Sequence, residues 1–422
     1  MRLVVLGGSG TSTPELFDSL AEWPEGTDRR PALEVVLVGR TPEKLAAVEA
    51  GCRARIGPGP PLTVSSETDR RRAIEGCDVI LNQVRIGGYA ARSFDESFPR
   101  ACGLPGEETM GPGGFANARR TVPALRSTWS DVAEWAPDAL VINLTNPAGI
   151  VQAAALAEFP GLRLVSVCDS PVTFLDGVAQ RLGRDSGRVW SRYLGMNHLG
   201  WYVPEAPDGS DTLAAMADLA VGNDLRDVRL QQAVPTPYVR YYLHPDRILA
   251  HQRGRPTRAR TLMDLDARLL AGFKADPGGE HPRRGAIAWY RAVLRLLNAS
   301  VHHPAGATVI AGVLNAGRLP LLPPDIVLEL PHYVDAQGAL VAAEPVALPP
   351  LPQTLLQRHA AYESLLVRAL VAGCEPEVML RALLANPMVH DIDQAVALWE
   401  LVQTDPVTAA GASEPLSTRA TR

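Results

Sequence analysis

The sequence predicts an α/β fold: a mostly parallel sheet in the first 200 residues, then an α+β portion. Three observations predict it. Short apolar runs alternate with helical patterns up to about residue 200, the first run opens straight into a glycine-rich turn, and the alternation ends near Trp201. Continuous apolar runs of four to six residues suit strands buried on both faces, and their alternation with helices implies right-handed βαβ units.

In order, residues 3–6, 33–38, 78–81, 140–144 and 162–167 read as those strands. Residues 14–23, 42–50, 115–126 and 171–182 carry the helical spacing between them. The first helix begins with Pro14 after Thr13, a good first helical residue after a good cap. Residues 204–211 are turn-rich, 258–270 and 285–297 helical, 308–313 and 326–330 strand-like, and 348–352 proline-rich. Helices are expected at 355–371, 376–385 and 392–402. Residues 1–200 are thus expected to form a nucleotide-binding unit and 201–404 a substrate or oligomerisation unit. Residues 405–422, rich in Ala, Ser and Thr, are expected to be a disordered tail.

At 422 residues the chain exceeds the usual size of a single core. Its 41 Lys and Arg nearly balance 46 Asp and Glu, for a formal charge of −5. That balance gives no reason to expect a nucleic-acid or membrane partner. No apolar run approaches the roughly 18 residues that span a bilayer. The first residues enter a strand directly, without a signal-peptide pattern. Five scattered cysteines without CxxC suit a reducing compartment, so a cytoplasmic location is expected.

Gly7-Gly8-Ser9-Gly10-Thr11-Ser12-Thr13 joins the first strand to the first helix. Glycines let a backbone turn tightly and approach a pyrophosphate, which a helix N-terminus favours through its free N–H groups and dipole. Thr13 replaces the third glycine of GxGxxG, and some other α/β turn is the competing reading. This placement makes the sheet Rossmann-like. After the second strand stands Arg40, where an acidic residue usually meets the ribose hydroxyls. Arg40 can contact adenine or accept a 2′-phosphate, which leaves NAD and NADP both open; a solvated arginine is the bland alternative.

Cys168 and His198 each close what reads as a parallel strand. A thiolate and an imidazole at the carboxyl edge of such a sheet make a half-site for a divalent metal beside a redox cofactor. Taken singly, a cysteine is more often a small buried hydrophobe and a histidine a satisfied polar residue.

Seven segments together resemble the family 4 glycoside hydrolases, the NAD- and metal-dependent 6-phospho-glycosidases. They are the glycine loop with Pro14-Glu15-Leu16; Asn82-Gln83-Val84-Arg85-Ile86-Gly87-Gly88; Gly106-Glu107-Glu108-Thr109 with Gly111-Pro112-Gly113-Gly114-Phe115; Asn143-Leu144-Thr145-Asn146-Pro147-Ala148-Gly149; Cys168-Asp169-Ser170-Pro171; Gly195-Met196-Asn197-His198; and Pro237-Tyr238-Val239-Arg240-Tyr241-Tyr242. They stand in the family's order over residues 1–242, with a looser match to about 404. The resemblance implies a lactate/malate dehydrogenase-like N-terminal half. It also implies a route that differs from two-carboxylate glycosidases. NAD⁺ oxidises the sugar C3 hydroxyl, a base removes the C2 proton, the C1 substituent leaves, water adds, and NADH reduces C3 again.

By that resemblance Cys168 and His198 are the ligands of Mn²⁺ or another divalent metal, and Tyr238 is the base. Asp169 is a general acid or an orienting group. Gly7, Gly8, Ser9, Gly10, Thr11, Thr13, Arg40, Asn82 and Val84 fall to the cofactor. Arg92, Glu108 and Asn146 fall to the sugar; Arg85, Arg258 and Arg260 are candidates for the 6-phosphate, since a guanidinium can hold it bidentately. The expected substrate is a phosphorylated disaccharide or aryl glucoside, and the expected assembly a homodimer or homotetramer. A 6-phospho-β-glucosidase is the leading expectation. Asp169, where β-acting members often carry Asn, favours a 6-phospho-α-glucosidase as the alternative. A 2-hydroxy-acid dehydrogenase and a non-catalytic nucleotide-binding regulator are the competing classes. The Gly111–Phe115 segment is expected to open a helix, in either a ligand-facing or a packing role.

Overall fold

The computed structural model of the chain describes residues 1–21, 32–57, 61–205, 224–302, 308–335 and 339–409. Six parallel strands form the first sheet: β1 (Arg2–Leu6), β2 (Leu33–Val38), β3 (Leu62–Glu67), β4 (Val79–Asn82), β5 (Leu140–Asn143) and β6 (Arg163–Ser166). Their order is β3-β2-β1-β4-β5-β6, the doubly wound dinucleotide order, so ligands are expected outside the strands' carboxyl ends where the winding reverses between β1 and β4. The sheet is the α/β architecture the alternation predicts. β3, Leu-Thr-Val-Ser-Ser-Glu, escaped the sequence reading because only Val64 of its six residues is buried, so the strand carries no apolar run.

Helices return along this sheet: α1 (Pro14–Ala21), α2 (Pro42–Arg53), α3 (Arg70–Ile74), α4 (Gly88–Asp95), α5 (Phe98–Ala101), α6 (Gly111–Trp135) and α7 (Ala148–Glu158). Then α8 (Asp169–Leu182) follows β6, and α9 (Ser186–Trp190) leads to the second sheet. That sheet is antiparallel and runs β10 (Thr308–Leu314), β11 (Val327–Val334), β7 (Tyr193–Met196), β8 (Leu199–Tyr202), β9 (Val234–Pro235), with β12 (Leu340–Ala342) beside β11. The expected turn at 204–211 lies mostly outside the described residues.

His198 therefore does not end a parallel strand. Met196 pairs with Leu199, so Asn197 and His198 are the two turn residues of an antiparallel hairpin, and His198 takes a left-handed φ of 63°. Apolar residues before an Asn-His pair look the same in a sequence whether a strand stops or reverses. Asn-Gly is the hairpin signal, and it is missing here.

Later helices complete the first sheet. Helix Pro350–Val371 begins inside the proline-rich stretch, with proline tolerated in its first turn. Tyr362, Leu366, Leu370, Leu398 and Val402 join Phe115, Trp129, Ile150 and Val4 in one core. On the opposite face Phe273, Tyr290 and Leu297 join Leu16, Phe17 and Val48. Each such large apolar side chain contributes about 1.5–3 kcal/mol when fully buried. Residues 405–409 are also structured, unlike the expected tail. Asp405 is 1% exposed and accepts from Arg120, which also donates to Asp95 at the end of α4. A short helix Pro406–Ala409 follows. Residues 410–422 lie outside the described residues.

Candidate active site

The glycine loop has the geometry its glycines allow. Gly7 adopts φ 84°, and a Cβ there would meet the Gln83 carbonyl at 3.0 Å. A Cβ on Gly8 would meet Leu37 at 2.8 Å, and one on Gly39 would meet Ser9 at 2.9 Å. The loop thus nests between β2 and β4, with Gly10 N–H turned back to the Gly7 carbonyl at 3.0 Å. Thr13 is fully buried and its hydroxyl accepts from the Gln83 amide at 3.0 Å. Thr11 is buried with its hydroxyl oxygen unpartnered. Gln83 is held in turn by Tyr290, whose hydroxyl donates to it at 2.9 Å. Glu15 in α1 accepts from the backbone of Arg284, Gly285 (3.1 Å) and Ala286 (2.6 Å), pinning the start of helix Ile287–His302 to the loop. Arg40 is exposed at the carboxyl end of β2.

Behind the loop, the ends of β4, β5 and β6 are tied by a buried amide network. Asn82 donates to Asn143 at 2.8 Å and to Thr145 at 3.1 Å, Asn143 donates to Ser166 at 3.2 Å, and Thr145 donates to the Val84 carbonyl at 2.9 Å. Asn82 is fully buried, so it shapes the floor of the site, and Val84, half-buried beyond it, stands nearer the surface.

Past Val84 the chain turns through Gly87 into α4. Glu108, 6% exposed, pairs with Arg85 and, at 3.0 Å, with Arg92. Burial opposes its charge, yet the two guanidiniums hold its carboxyl below the usual range. Arg92 also donates to Glu96 at 2.7 Å, and Glu96 accepts the Ala259 N–H at 2.9 Å. Through this contact the start of helix Arg258–Ala275 is docked on α4. Arg258 and Arg260 are exposed on that first turn. Asn117 in α6 donates to the carbonyls of Glu108 (2.9 Å) and Asn146 (3.2 Å), so one amide joins the two segments. The glycines opening α6 serve packing: a Cβ on Gly113 would stand 2.1 Å from the Glu107 carbonyl, and one on Gly114 2.0 Å from that of Thr109.

Cys168 caps α8, its sulfur accepting the Ser170 N–H at 3.4 Å. Burial, then Asp169 and Glu329, push its thiol well above the ordinary range. Burial also raises Asp169, against the pull of hydrogen bonds that include Trp289. His198 is 7% exposed, its Nδ1 is buried without a partner, and burial lowers its pKa to about 4. It is a neutral imidazole with a lone pair to give. The Tyr238 ring lies flat on it, with centroids 3.9 Å apart and planes 8° apart. Burial raises the Tyr238 phenol, and Glu107, Cys168 and Asp169 are close enough to add to the rise. Tyr238 therefore packs on the hairpin of the antiparallel sheet within electrostatic reach of the edge of the parallel one.

A thiol and an orphaned imidazole nitrogen fit a divalent cation, which would reverse the penalty on the thiolate. Among the described residues no group of three or more His, Cys, Asp and Glu is spaced to hold a metal ion. A cation held by these two alone would take the rest of its shell from substrate and water. The sequence reading missed Glu107, Asn117, Asn197 and Glu329 as individual contributors, although Glu107 and Asn197 stand in the motif segments quoted above.

A dinucleotide-type parallel sheet carrying a thiol, an imidazole and a phenol beyond its carboxyl edge defines an α/β enzyme of the dehydrogenase architecture. Lactate dehydrogenase of Trichomonas vaginalis shares that fold at TM-score 0.52 and 13% identity, over 88% of this chain and 99% of that one. The chain belongs to the family 4 glycosyl hydrolases: the family model matches residues 2–184 and that of the family's C-terminal domain residues 193–389. A probable 6-phospho-beta-glucosidase of Bacillus subtilis is 27% identical over 92% of both chains. A 6-phospho-alpha-glucosidase of Lacticaseibacillus paracasei is 26% identical over 80% of this chain and 82% of its own. The 6-phospho-beta glucosidase of Thermotoga maritima, solved with NAD and glucose-6-phosphate, matches at TM-score 0.83 and 25% identity, over 96% of this chain and 98% of that one. No helix among the described residues is long and apolar enough to cross a membrane.

Proposed function

We propose that the chain hydrolyses 6-phosphoglucosides, β-linked in preference to α-linked, with NAD⁺ and a divalent metal, Mn²⁺ first. The observation that carries this is the Tyr238 ring stacked on His198 within electrostatic reach of Cys168 and Asp169. The names of the relatives, phosphoglucosidases of both anomers, and the Thermotoga maritima complex support the substrate class and the nucleotide.

When bound, the nicotinamide supplies reversible oxidation of the C3 hydroxyl, and the cation supplies Lewis acidity toward the sugar oxygens. The chain's own residues do the rest. The Gly7–Thr13 loop seats the nucleotide between β1 and β4. Cys168 and His198 would hold the cation, whose charge would offset the burial of Tyr238 and let its phenolate Oη take the C2 proton, and Asp169, kept protonated more readily by burial, gives a proton to the leaving oxygen. Arg92, Glu108 and Asn146 orient hydroxyls; Arg85, Arg258 and Arg260 meet the 6-phosphate. Residues 1–200 in this scheme carry the nucleotide side, and 201–404 shape the sugar side and the contacts of a homodimer or homotetramer.

Asp169 favours a second reading, the α-phosphoglucosidase. Release of nitrophenol from paired α- and β-nitrophenyl glucoside 6-phosphates, with NAD⁺, Mn²⁺ and a thiol reductant, separates the two. Faster β cleavage is expected, and it stops when either cofactor is removed and returns when that cofactor is restored. Faster α cleavage assigns the other anomer. Net NADH formation from a hydroxy acid, with no need for metal, makes the protein a dehydrogenase instead.

A further inference from the structure

Glu329 is a buried carboxylate that none of the steps above uses. It lies on β11 opposite Gly195 of β7 and is 5% exposed. Its Oε2 accepts the Tyr193 hydroxyl at 3.0 Å and its Oε1 accepts the Asn197 amide nitrogen at 3.3 Å. The other end of Asn197 accepts the Ala148 N–H at 3.1 Å, in the first turn of α7. Asn197 immediately precedes His198, and the two are the whole turn between β7 and β8.

The hairpin is shaped around this arrangement. A Cβ on Gly195 or Gly200 would stand 2.7 Å or 2.2 Å from the Tyr193 hydroxyl. Two glycines are therefore needed for that ring to lie across the hairpin and reach Glu329. The Ala148 N–H can only donate, so it admits one orientation of the Asn197 amide, oxygen toward α7 and nitrogen toward Glu329. Flipping the amide would set oxygen against oxygen and NH₂ against N–H. That fixed amide clamps the turn whose next residue, His198, is held at φ 63°.

We propose that Glu329 is a positioning residue for the metal-binding imidazole: through Asn197 it locks the β7–β8 turn so that His198 faces the cation shared with Cys168. The inference rests on the metal reading given above. Outer carboxylates and amides that orient a ligand typically change metal affinity 10–100-fold when lost.

The test is Mn²⁺ affinity of the full chain, read from the free-ion paramagnetic resonance signal with NAD⁺ present. NAD⁺ affinity and circular dichroism are followed alongside. Glu329→Met, similar in size but without an acceptor, is expected to weaken Mn²⁺ binding about 10–100-fold with little change in NAD⁺ affinity. Glu329→Gln keeps an acceptor oxygen and is expected to stay close to the unaltered protein. Asn197→Ala removes the clamp while leaving Glu329 with Tyr193, and it decides the matter if Glu329→Met does not fold; the same loss is expected. Unaltered Mn²⁺ affinity in a folded Glu329→Met or in Asn197→Ala overturns the proposal, as does a loss in Glu329→Gln equal to that in Glu329→Met. Cys168→Ser separates the two levels: if it too binds Mn²⁺ normally, the metal assignment itself fails. If it alone loses the ion, only the role of Glu329 fails.

Discussion

Tyr238 is the residue on which the proposed chemistry turns. Its ring is stacked on His198, so Tyr238→Phe keeps the stacking surface and removes only the hydroxyl. Exchange of the substrate's C2 proton with deuterated solvent, followed by NMR, is expected to slow about 10²–10⁴-fold; undiminished exchange assigns the base elsewhere. Arg258 sits exposed on a turn whose backbone is anchored to Glu96. Arg258→Ala is expected to raise KM for phosphorylated substrate, with little effect on kcat; an unchanged KM moves the phosphate contact to Arg85 or Arg260. Cys168, His198 and Tyr238 could be singled out in the sequence because their motifs are local, and the structure stacks the last two. Glu329 was not, because its partners Tyr193 and Asn197 lie more than 100 residues away, with separations of 136 and 132. No local pattern marks such a contact.

At the scale of elements, α6 shows how packing holds two candidate substrate segments in place. Its opening glycines sit against the carbonyls of Glu107 and Thr109, and Asn117 one turn on holds Glu108 and Asn146. Gly114→Ala places a methyl 2.0 Å from a carbonyl oxygen, so the helix or the Glu108 loop must shift. A loss of about 1–3 kcal/mol in unfolding free energy is expected, with a raised KM; an unaltered denaturation midpoint removes this packing role. Helices were legible where a proline opens a run of helical spacing, as with Pro376–Ala385, whose ends the sequence places correctly. The direction of the chain after Gly195 was not legible, because whether a strand pairs parallel or antiparallel depends on neighbours distant in sequence.

The molecule as a whole is joined by the last of its described residues. Arg120, 5% exposed, lies between Asp95 and Asp405, and Val407 packs close to Gly87 at the start of α4. Arg120→Met would leave two carboxylates buried without their cation. Breaking such an ion cluster costs about 3–5 kcal/mol, expected as a lower urea midpoint; an unshifted midpoint shows that the cluster contributes nothing. The expected division at 404 overlooked this tie, since a lone aspartate before a proline gives no sign in sequence of a partner 285 residues earlier.

Cys168 comes from the edge of one sheet and His198 from the hairpin of another, with Tyr238 stacked on the second. On the proposed metal site, a folding chain that had completed only its first sheet could cradle a nucleotide but not chelate. Cation affinity would then arise only as the two sheets seat against each other, and the ion would stabilise only molecules that have finished assembling.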